Sequence, residues 1–187
     1  MVGGLAGTGK TKTAKVLSKR LQAALLDKDT LTRPLVEKLL QTLGSHEHDR
    51  ESEIYLREVR PLEYAILLKT AREVLDGGSS VVLAAPFISE LSNPEWLSNF
   101  EFDAQMGSIT TAYIWVQADD ETTRQRLIAR AAPRDAWKLA HWEEYLEATS
   151  DIRMPTLPDG RSWLITNGRE DALLAQIEER SRDIQSL

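Results

Sequence analysis

Two apolar patterns alternate along the chain. Short unbroken runs are bounded by polar or turn residues. Between them lie longer stretches whose apolar positions recur at helical spacing. Val81-Val82-Leu83-Ala84-Ala85 and Ala112-Tyr113-Ile114-Trp115-Val116 are continuous runs, as strands buried on both faces require. Gln22-Ala23-Ala24-Leu25-Leu26 and Ser162-Trp163-Leu164-Ile165-Thr166 read as further strands. Thr13, Ala14, Val16, Leu17 and Leu21 predict a helix to about Arg20. Leu31, Leu35, Leu39 and Leu40 predict one through about Leu43, capped by Asp29 or Thr30. Gly44 to Arg50 is polar and turn-like. Glu51 to Asp76 is helical again, with a kink or break expected at Pro61 and a stop at Gly77-Gly78.

Phe87 to Ser108 reads as irregular, with a short helix around Pro94 to Phe100. Asp119 caps a helix to about Ala131, and Asp120 and Glu121 sit in its favourable first turn. Pro133 separates it from a second helix to about Ala148. Ser150 to Arg161 is a proline-containing loop, and a last helix runs from Asn167-Gly168 to near Gln185. Strands alternating with helices predict an α/β fold, a three-layer doubly wound parallel sheet. No repeat or low-complexity linker interrupts residues 1–187, so one domain is expected.

Composition narrows the class. Hydrophobic residues make up 42% of the 187, ordinary for a globular domain. No apolar run reaches transmembrane length and no signal-peptide pattern opens the chain, so no membrane role is expected. Cysteine is absent, which excludes disulfides and thiolate metal sites; a cytoplasmic enzyme is the simplest reading. A net charge of −6 disfavours a broad nucleic-acid surface but leaves room for a local basic pocket. His46 and His48 lack an evident third metal ligand and read as a solvated turn.

The chemistry gathers at Gly4-Leu5-Ala6-Gly7-Thr8-Gly9-Lys10-Thr11, which reads G-x-x-x-x-G-K-T. Gly4, Gly7 and Gly9 allow positive φ and close approach, so that N–H groups, including that of Thr8, turn into one concavity fit for phosphate oxygens. Lys10 would reach the β- and γ-phosphates of a nucleotide, the Thr11 hydroxyl would ligate Mg²⁺, and Lys12 would add a cation beside the loop. The helix that follows presents its N-terminus to the anion. Only Met1 and Val2 precede Gly3, so either the preceding strand is very short or the natural chain begins before Met1.

Asp27 and Asp29 stand where the second strand ends, on the side of the sheet where open parallel sheets bind ligands. One carboxylate would hold a water of the Mg²⁺ shell; the other would accept a proton from a substrate hydroxyl. Arg124, Arg126, Arg130 and Arg134 form a later cluster, and Arg126 and Arg130 share a helix face. Guanidinium groups suit the charge spread over a transferring phosphoryl group. Asp135 and Lys138 read as hinge or nucleotide contacts, or as an i,i+3 surface pair. Trp137, Trp142 and Tyr145 read as packing for the second helix of this pair.

With its glycine loop, D-x-D, buried strand and arginine-bearing helix pair, the chain resembles the P-loop kinases of small molecules and polynucleotide ends. Shikimate kinase carries a D-x-D after its second strand. Zeta toxins, chloramphenicol phosphotransferase and polynucleotide 5′-kinases carry an acidic catalytic base in that stretch. Leu26-Asp27-Lys28-Asp29-Thr30-Leu31 looks like the zeta-toxin version. The resemblance implies Asp29 as base and Asp27 as the metal-side carboxylate. It implies a helical lid over about 124–148 that brings Arg126, Arg130 and, approximately, Arg134 to ATP. It implies an acceptor-binding helical region over about 30–76 holding Arg33, Arg57, Arg60 and Tyr64; the i, i+3, i+7 spacing of the last three predicts that they share one face. It also implies that the turn at Thr166, Asn167 and Gly168 borders the adenine.

The buried strand ends in Ala84-Ala85-Pro86, without the acidic residue that motor ATPases need, and no N-K-x-D motif suggests a GTPase. The leading expectation is an ATP- and Mg²⁺-dependent phosphotransferase acting on a hydroxyl of a small metabolite or antibiotic. The alternatives are a polynucleotide 5′-kinase or zeta-toxin-like nucleotide-sugar kinase, and a non-catalytic ATP-sensing module.

Overall fold

The structure, a computed structural model, describes residues 1–152 and 160–187. Five parallel strands form one sheet in the order β2-β3-β1-β4-β5. They are β1 (Val2–Gly3), β2 (Ala24–Asp27), β3 (Val81–Ala84), β4 (Tyr113–Gln117) and β5 (Ser162–Thr166). The helices are α1 (Lys10–Leu21), α2 (Lys28–Thr42), α3 (Arg60–Asp76), α4 (Ile88–Leu91), α5 (Pro94–Met106), α6 (Asp120–Arg130), α7 (Ala136–Ala140), α8 (Trp142–Thr149) and α9 (Glu170–Gln185). The proline-containing loop expected over Ser150 to Arg161 lies mostly outside the described residues.

The unbroken apolar runs follow from a sheet covered on both sides. Val82, Ala84, Ile114 and Val116 turn to the face packed by Ala14 and Leu17 of α1 and Leu173 and Ile177 of α9. Leu83, Tyr113 and Trp115, alternating with them, turn to the face packed by Tyr64, Leu67 and Ala71 of α3 and Leu97 of α5. That is the expected three-layer doubly wound architecture. No helix among the described residues is long and apolar enough to cross a membrane.

Several local expectations change. The cap of α2 is Asp27, not Asp29 or Thr30: its Oδ1 accepts the Thr30 N–H at 3.0 Å, which places Asp29 in the first turn. Phe87 to Ser108 is mostly helical, and α5 runs past Phe100 to Met106. Asn93 caps α5, accepting from the Glu95 and Trp96 N–H groups at 2.9 and 3.1 Å, and Pro94 opens it. That Asn-Pro pair was the legible start signal. The helix expected after Pro133 is a 3₁₀ turn over Pro133–Asp135 followed by α7 and α8, which part at His141.

At Pro61 the chain does bend its rules. A π-helical turn, Tyr55–Val59, leads into α3, and Pro61 falls in the first turn of α3. Proline has no N–H for the Arg57 carbonyl and its ring crowds that group; the wider turn relieves both problems. The π turn packs Tyr55 and Val59 against Val36 and Leu40 of α2 in a separate small core.

A buried ion pair ties α2 to α3 and the π turn. Lys28 and Glu63 are 3% and 2% exposed, with Nζ–Oε1 at 2.7 Å. The Thr32 hydroxyl donates to Oε1 at 2.9 Å and the Tyr55 hydroxyl to Oε2 at 2.7 Å, so both carboxylate oxygens are satisfied. Removing one partner of such a pair strands the other charge, at a cost of about 3–5 kcal/mol. Glu63→Gln is therefore expected to lower the unfolding free energy by that order, read as a lower urea midpoint with an unchanged m-value. Replacing Lys28 and Glu63 together by methionine should cost less than the single change.

Candidate active site

The glycine loop joins β1 to α1. Gly4, Gly7 and Gly9 have φ of 138°, 78° and 96°. A Cβ on Gly4 would lie 2.3 Å from the Val116 carbonyl oxygen, and one on Gly9 would lie 1.9 Å from Asn167 Nδ2. Conformation and close approach thus both demand glycine. The loop is braced on its outer side. Asn167 Nδ2 donates to the Thr8 carbonyl at 2.7 Å, and the Thr8 hydroxyl donates to the Leu5 carbonyl at 2.9 Å. Arg126 donates to Asn167 Oδ1 at 3.3 Å and to the Thr8 carbonyl at 3.5 Å.

Lys10 folds back so that its Nζ donates to the Leu5 carbonyl, and it forms no ion pair among the described residues. Burial pushes its ammonium down to about 8, while Asp29 and Asp27 act to raise it and Arg130 and Arg134 to lower it. Thr11 donates its hydroxyl to Asp27 Oδ2 at 3.1 Å, so one oxygen of Asp27 caps α2 and the other faces the loop. No carboxylate follows β3 directly, but Asp27 lies in register with Ala84 on the adjacent strand. An acid therefore stands one strand over from the place where the sequence lacks one.

Asp29 meets the lid. Arg134 Nη1 donates to its Oδ2, and Lys28 Nζ lies 3.4 Å from its Oδ1. Burial alone would raise the Asp29 carboxyl; the charges of Lys28 and Arg134 outweigh it and hold the group below the usual carboxylate range. Arg130 grips the buried Asp135 through Nε and Nη2, each at 2.8 Å, and Lys138 pairs with Glu51 across the cleft. Asp135 and Lys138 thus hold the lid and are not a pair with each other. Lys10, Thr11, Asp27, Asp29, Arg130 and Arg134 line one cleft of about 380 Å³. A larger, mainly apolar hollow of about 800 Å³ lies between the two helical layers near Leu21, Leu75 and Ile184; it holds none of these residues.

The remaining expected site residues separate. Arg60 lines the cleft, 4.5 Å over the Tyr64 ring and bonded to Glu90 at 2.8 Å. Tyr64 is buried, and its hydroxyl accepts the Phe87 N–H at 3.0 Å, so it supports the site from below. Arg57 is exposed and pairs with Glu53 and Glu58; it does not share a face with Arg60 and Tyr64, because the π turn changes the helical register. Arg33 is exposed and outside the cleft lining. Lys12 turns out to Glu170 at 2.6 Å. Asn167 braces the loop from the β5–α9 turn. Sequence reasoning missed Lys28, Arg50, Glu51, Tyr55 and Glu63. Glu63 left a signal, an acid on the Leu67–Ala71 stripe of α3; Arg50 left none beyond its charge.

Sheet order, glycine loop and lid helices together define the fold of the P-loop kinase superfamily of phosphotransferases. Residues 1–151 match the model of the family described as AAA domain (AAA_33), and the chain belongs to that family. No curated protein matches the sequence. Among solved structures, a putative kinase from Chloroflexus aurantiacus is similar at 20% identity and a TM-score of 0.63, covering 96% of this chain and 95% of its own. A sugar kinase from Janibacter sp. is similar at 15% identity and 0.62, covering 99% and 92%. APS kinase from Mycobacterium tuberculosis is similar at 18% identity and 0.57, covering 99% and 93%. At these identities the likeness is one of fold.

Gly9→Ala is expected to displace Asn167 and to lower the melting temperature more than Gly44→Ala. Gly44 has a similar φ of 78° but no atom within 4 Å of an added Cβ. Equal losses would show that backbone strain alone, about 1–2 kcal/mol, accounts for both and that the loop is not braced by Asn167.

Proposed function

We propose that this protein is an ATP- and Mg²⁺-dependent phosphotransferase that moves the γ-phosphoryl group to a hydroxyl of a small metabolite or antibiotic. The observation that carries this reading is the convergence of Lys10, the Thr11–Asp27 pair and Asp29 in one cleft. Lys10 is a half-buried ammonium whose one acceptor among the described residues is a carbonyl; nucleotide phosphates would supply its counter-charge. The positive φ of Gly4, Gly7 and Gly9 suits a loop whose N–H groups turn towards those phosphates. Thr11 and Asp27 offer oxygen donors suited to Mg²⁺, and no cluster of three acids or histidines among the described residues would hold a metal alone. The ion fits with the nucleotide, keeping water in its shell. When bound, it neutralises charge on the β- and γ-oxygens.

In the transfer, the acceptor oxygen bonds to the γ-phosphorus as the bond to the β–γ bridging oxygen breaks. ADP leaves with that electron pair, and the hydroxyl proton passes to Asp29. The flanking cations keep Asp29 ionised, so it orients the hydroxyl and takes the proton late, which suits a loose transition state. Arg134 occupies Asp29 here and must release it. A γ-phosphate offers that guanidinium a more highly charged acceptor, so nucleotide binding would free the base and place a cation on the transferring group. Arg130 is already committed to Asp135 and acts by holding the lid and through its field. The acidic net charge favours a small acceptor over a polynucleotide end.

ADP release by the purified protein against a panel of hydroxyl compounds tests the reading; Mg²⁺–ATP that neither binds nor protects against unfolding ends it. Asp29→Asn is expected to lower kcat by about 10²–10⁴-fold while ATP affinity does not fall, because the loss of the carboxylate frees Arg134 for the nucleotide. Asp27→Asn keeps the cap, because asparagine caps as well, and should instead raise the Mg²⁺ concentration needed for half-maximal rate.

Lys10 must be charged to hold phosphate, and its folded pKa is lowered to about 8. Affinity for Mg²⁺–ATP should therefore be complete below that pH and fall as pH rises through about 8. Calorimetric titrations across this range check it; an affinity flat to pH 10 would contradict it, at a pH where a group of pKa about 8 is about 99% neutral.

A further inference from the structure

On the acceptor side of the cleft nearly every cation already has a carboxylate. Lys28 holds Glu63, Arg60 holds Glu90, Arg134 holds Asp29 and Lys138 holds Glu51. Arg50 is the exception: it lines the same cleft and forms no ion pair among the described residues. Its acidic neighbours are engaged elsewhere. Asp49 accepts from the Glu51 and Ser52 N–H groups at 3.0 and 2.9 Å and from the Ser45 hydroxyl at 2.7 Å. Glu51 is turned to Lys138 of the lid.

The Arg50 guanidinium is nonetheless fixed. Nη1 donates to the carbonyls of Glu47 and Asp49 at 3.1 and 2.6 Å, and the group lies 5.3 Å from the Tyr55 ring centre. Tyr55 is itself anchored by its hydroxyl on buried Glu63 at 2.7 Å, at the start of the π turn. Nε and Nη2 have no acceptor among the described residues. A planar fork held in place, with donors free in a cleft, matches the paired oxygens of a carboxylate or phosphate and needs little further ordering to bind them.

We propose that Arg50 binds an anionic group of the acceptor, so that the substrates are hydroxyl-bearing carboxylates or phosphate esters rather than neutral polyols. The proposal rests on the phosphotransferase reading above. The acceptor hydroxyl would sit at Asp29 and its anionic end at Arg50, with Tyr55 beneath.

The test pairs anionic acceptors with neutral partners of the same carbon chain: D-gluconate and a glucose phosphate against D-sorbitol and glucose, and further hydroxy acids against their diols. With Mg²⁺–ATP and the full chain, an anionic member is expected to show a kcat/KM about ten- to a hundredfold above its neutral partner. The carboxylate and phosphate arms tell which anion is meant. Arg50→Gln should raise acceptor KM by the same order while leaving kcat and ATP affinity near the parent's, with at most a few degrees lost in melting temperature from its two carbonyl bonds, and Arg50→Lys should restore part of the KM loss. Equal rates for neutral partners, a preference that survives Arg50→Gln, or no turnover of any anionic member while Mg²⁺–ATP binds would each overturn the proposal. Direct titration of gluconate and glucose phosphate into the nucleotide-free protein and its Arg50→Gln variant separates the two readings. Anion binding lost in the variant, in a protein that does not bind ATP, would leave Arg50 as an anion site and remove the kinase reading.

Discussion

The turn of chain between β1 and α1 is the constraint on which the site depends. It must pass through left-handed backbone at Gly4, Gly7 and Gly9 while touching β4, α6 and the β5–α9 turn. The contacts are specific: the Val116 carbonyl beside Gly4, Thr123 beside Gly7, Asn167 beside Gly9. Because those partners lie on separate elements, the sheet order must be right before the loop can take its shape. The loop then fixes where Lys10 and Thr11 begin α1, and with them the position of everything that meets Asp27.

Around that loop the charges are arranged in opposition. Burial works against ionisation of both Lys10 and Asp29, and the two respond differently. Lys10 forms no ion pair among the described residues and its pKa falls. Asp29 has Lys28 beside it and Arg134 above it, and stays ionised. Lys28 is in turn fixed by Glu63, so a buried pair between α2 and α3 sets the electrostatics of the candidate base. The lid meets this system at two points, Arg134 on Asp29 and Lys138 on Glu51. Both contacts are ion pairs that an incoming phosphate can compete for, which gives the lid a physical reason to respond to ligand.

Strand placement was legible because a sheet covered on both faces forces continuous apolar runs, as in Val81–Ala84 and Tyr113–Gln117. The glycine loop was legible because few backbones need glycine at that spacing. The D-x-D was legible as a pair, but its division of labour was not. Nothing local distinguishes Asp27 from Asp29 as a cap; the choice is made by where β2 ends. The shared face expected of Arg57, Arg60 and Tyr64 was misjudged for a physical reason: i, i+3, i+7 spacing presumes a uniform helix, and the π turn before Pro61 breaks the register between Arg57 and Arg60. Lys138 takes its significance from an ion pair across the cleft, and Arg50 from lining that cleft without a carboxylate partner among the described residues; no spacing rule carries either. Family membership accounts for the fold, while the roles of these side chains rest on geometry.

The fate of the γ-phosphoryl group tests the central claim most directly. With γ-labelled ATP, Mg²⁺ and a productive acceptor, the label is expected in an organic phosphate ester, formed in step with ADP. Label that remains in ATP, or that emerges only as inorganic phosphate at a rate indifferent to every acceptor, would contradict a phosphotransferase built on Lys10 and Asp29.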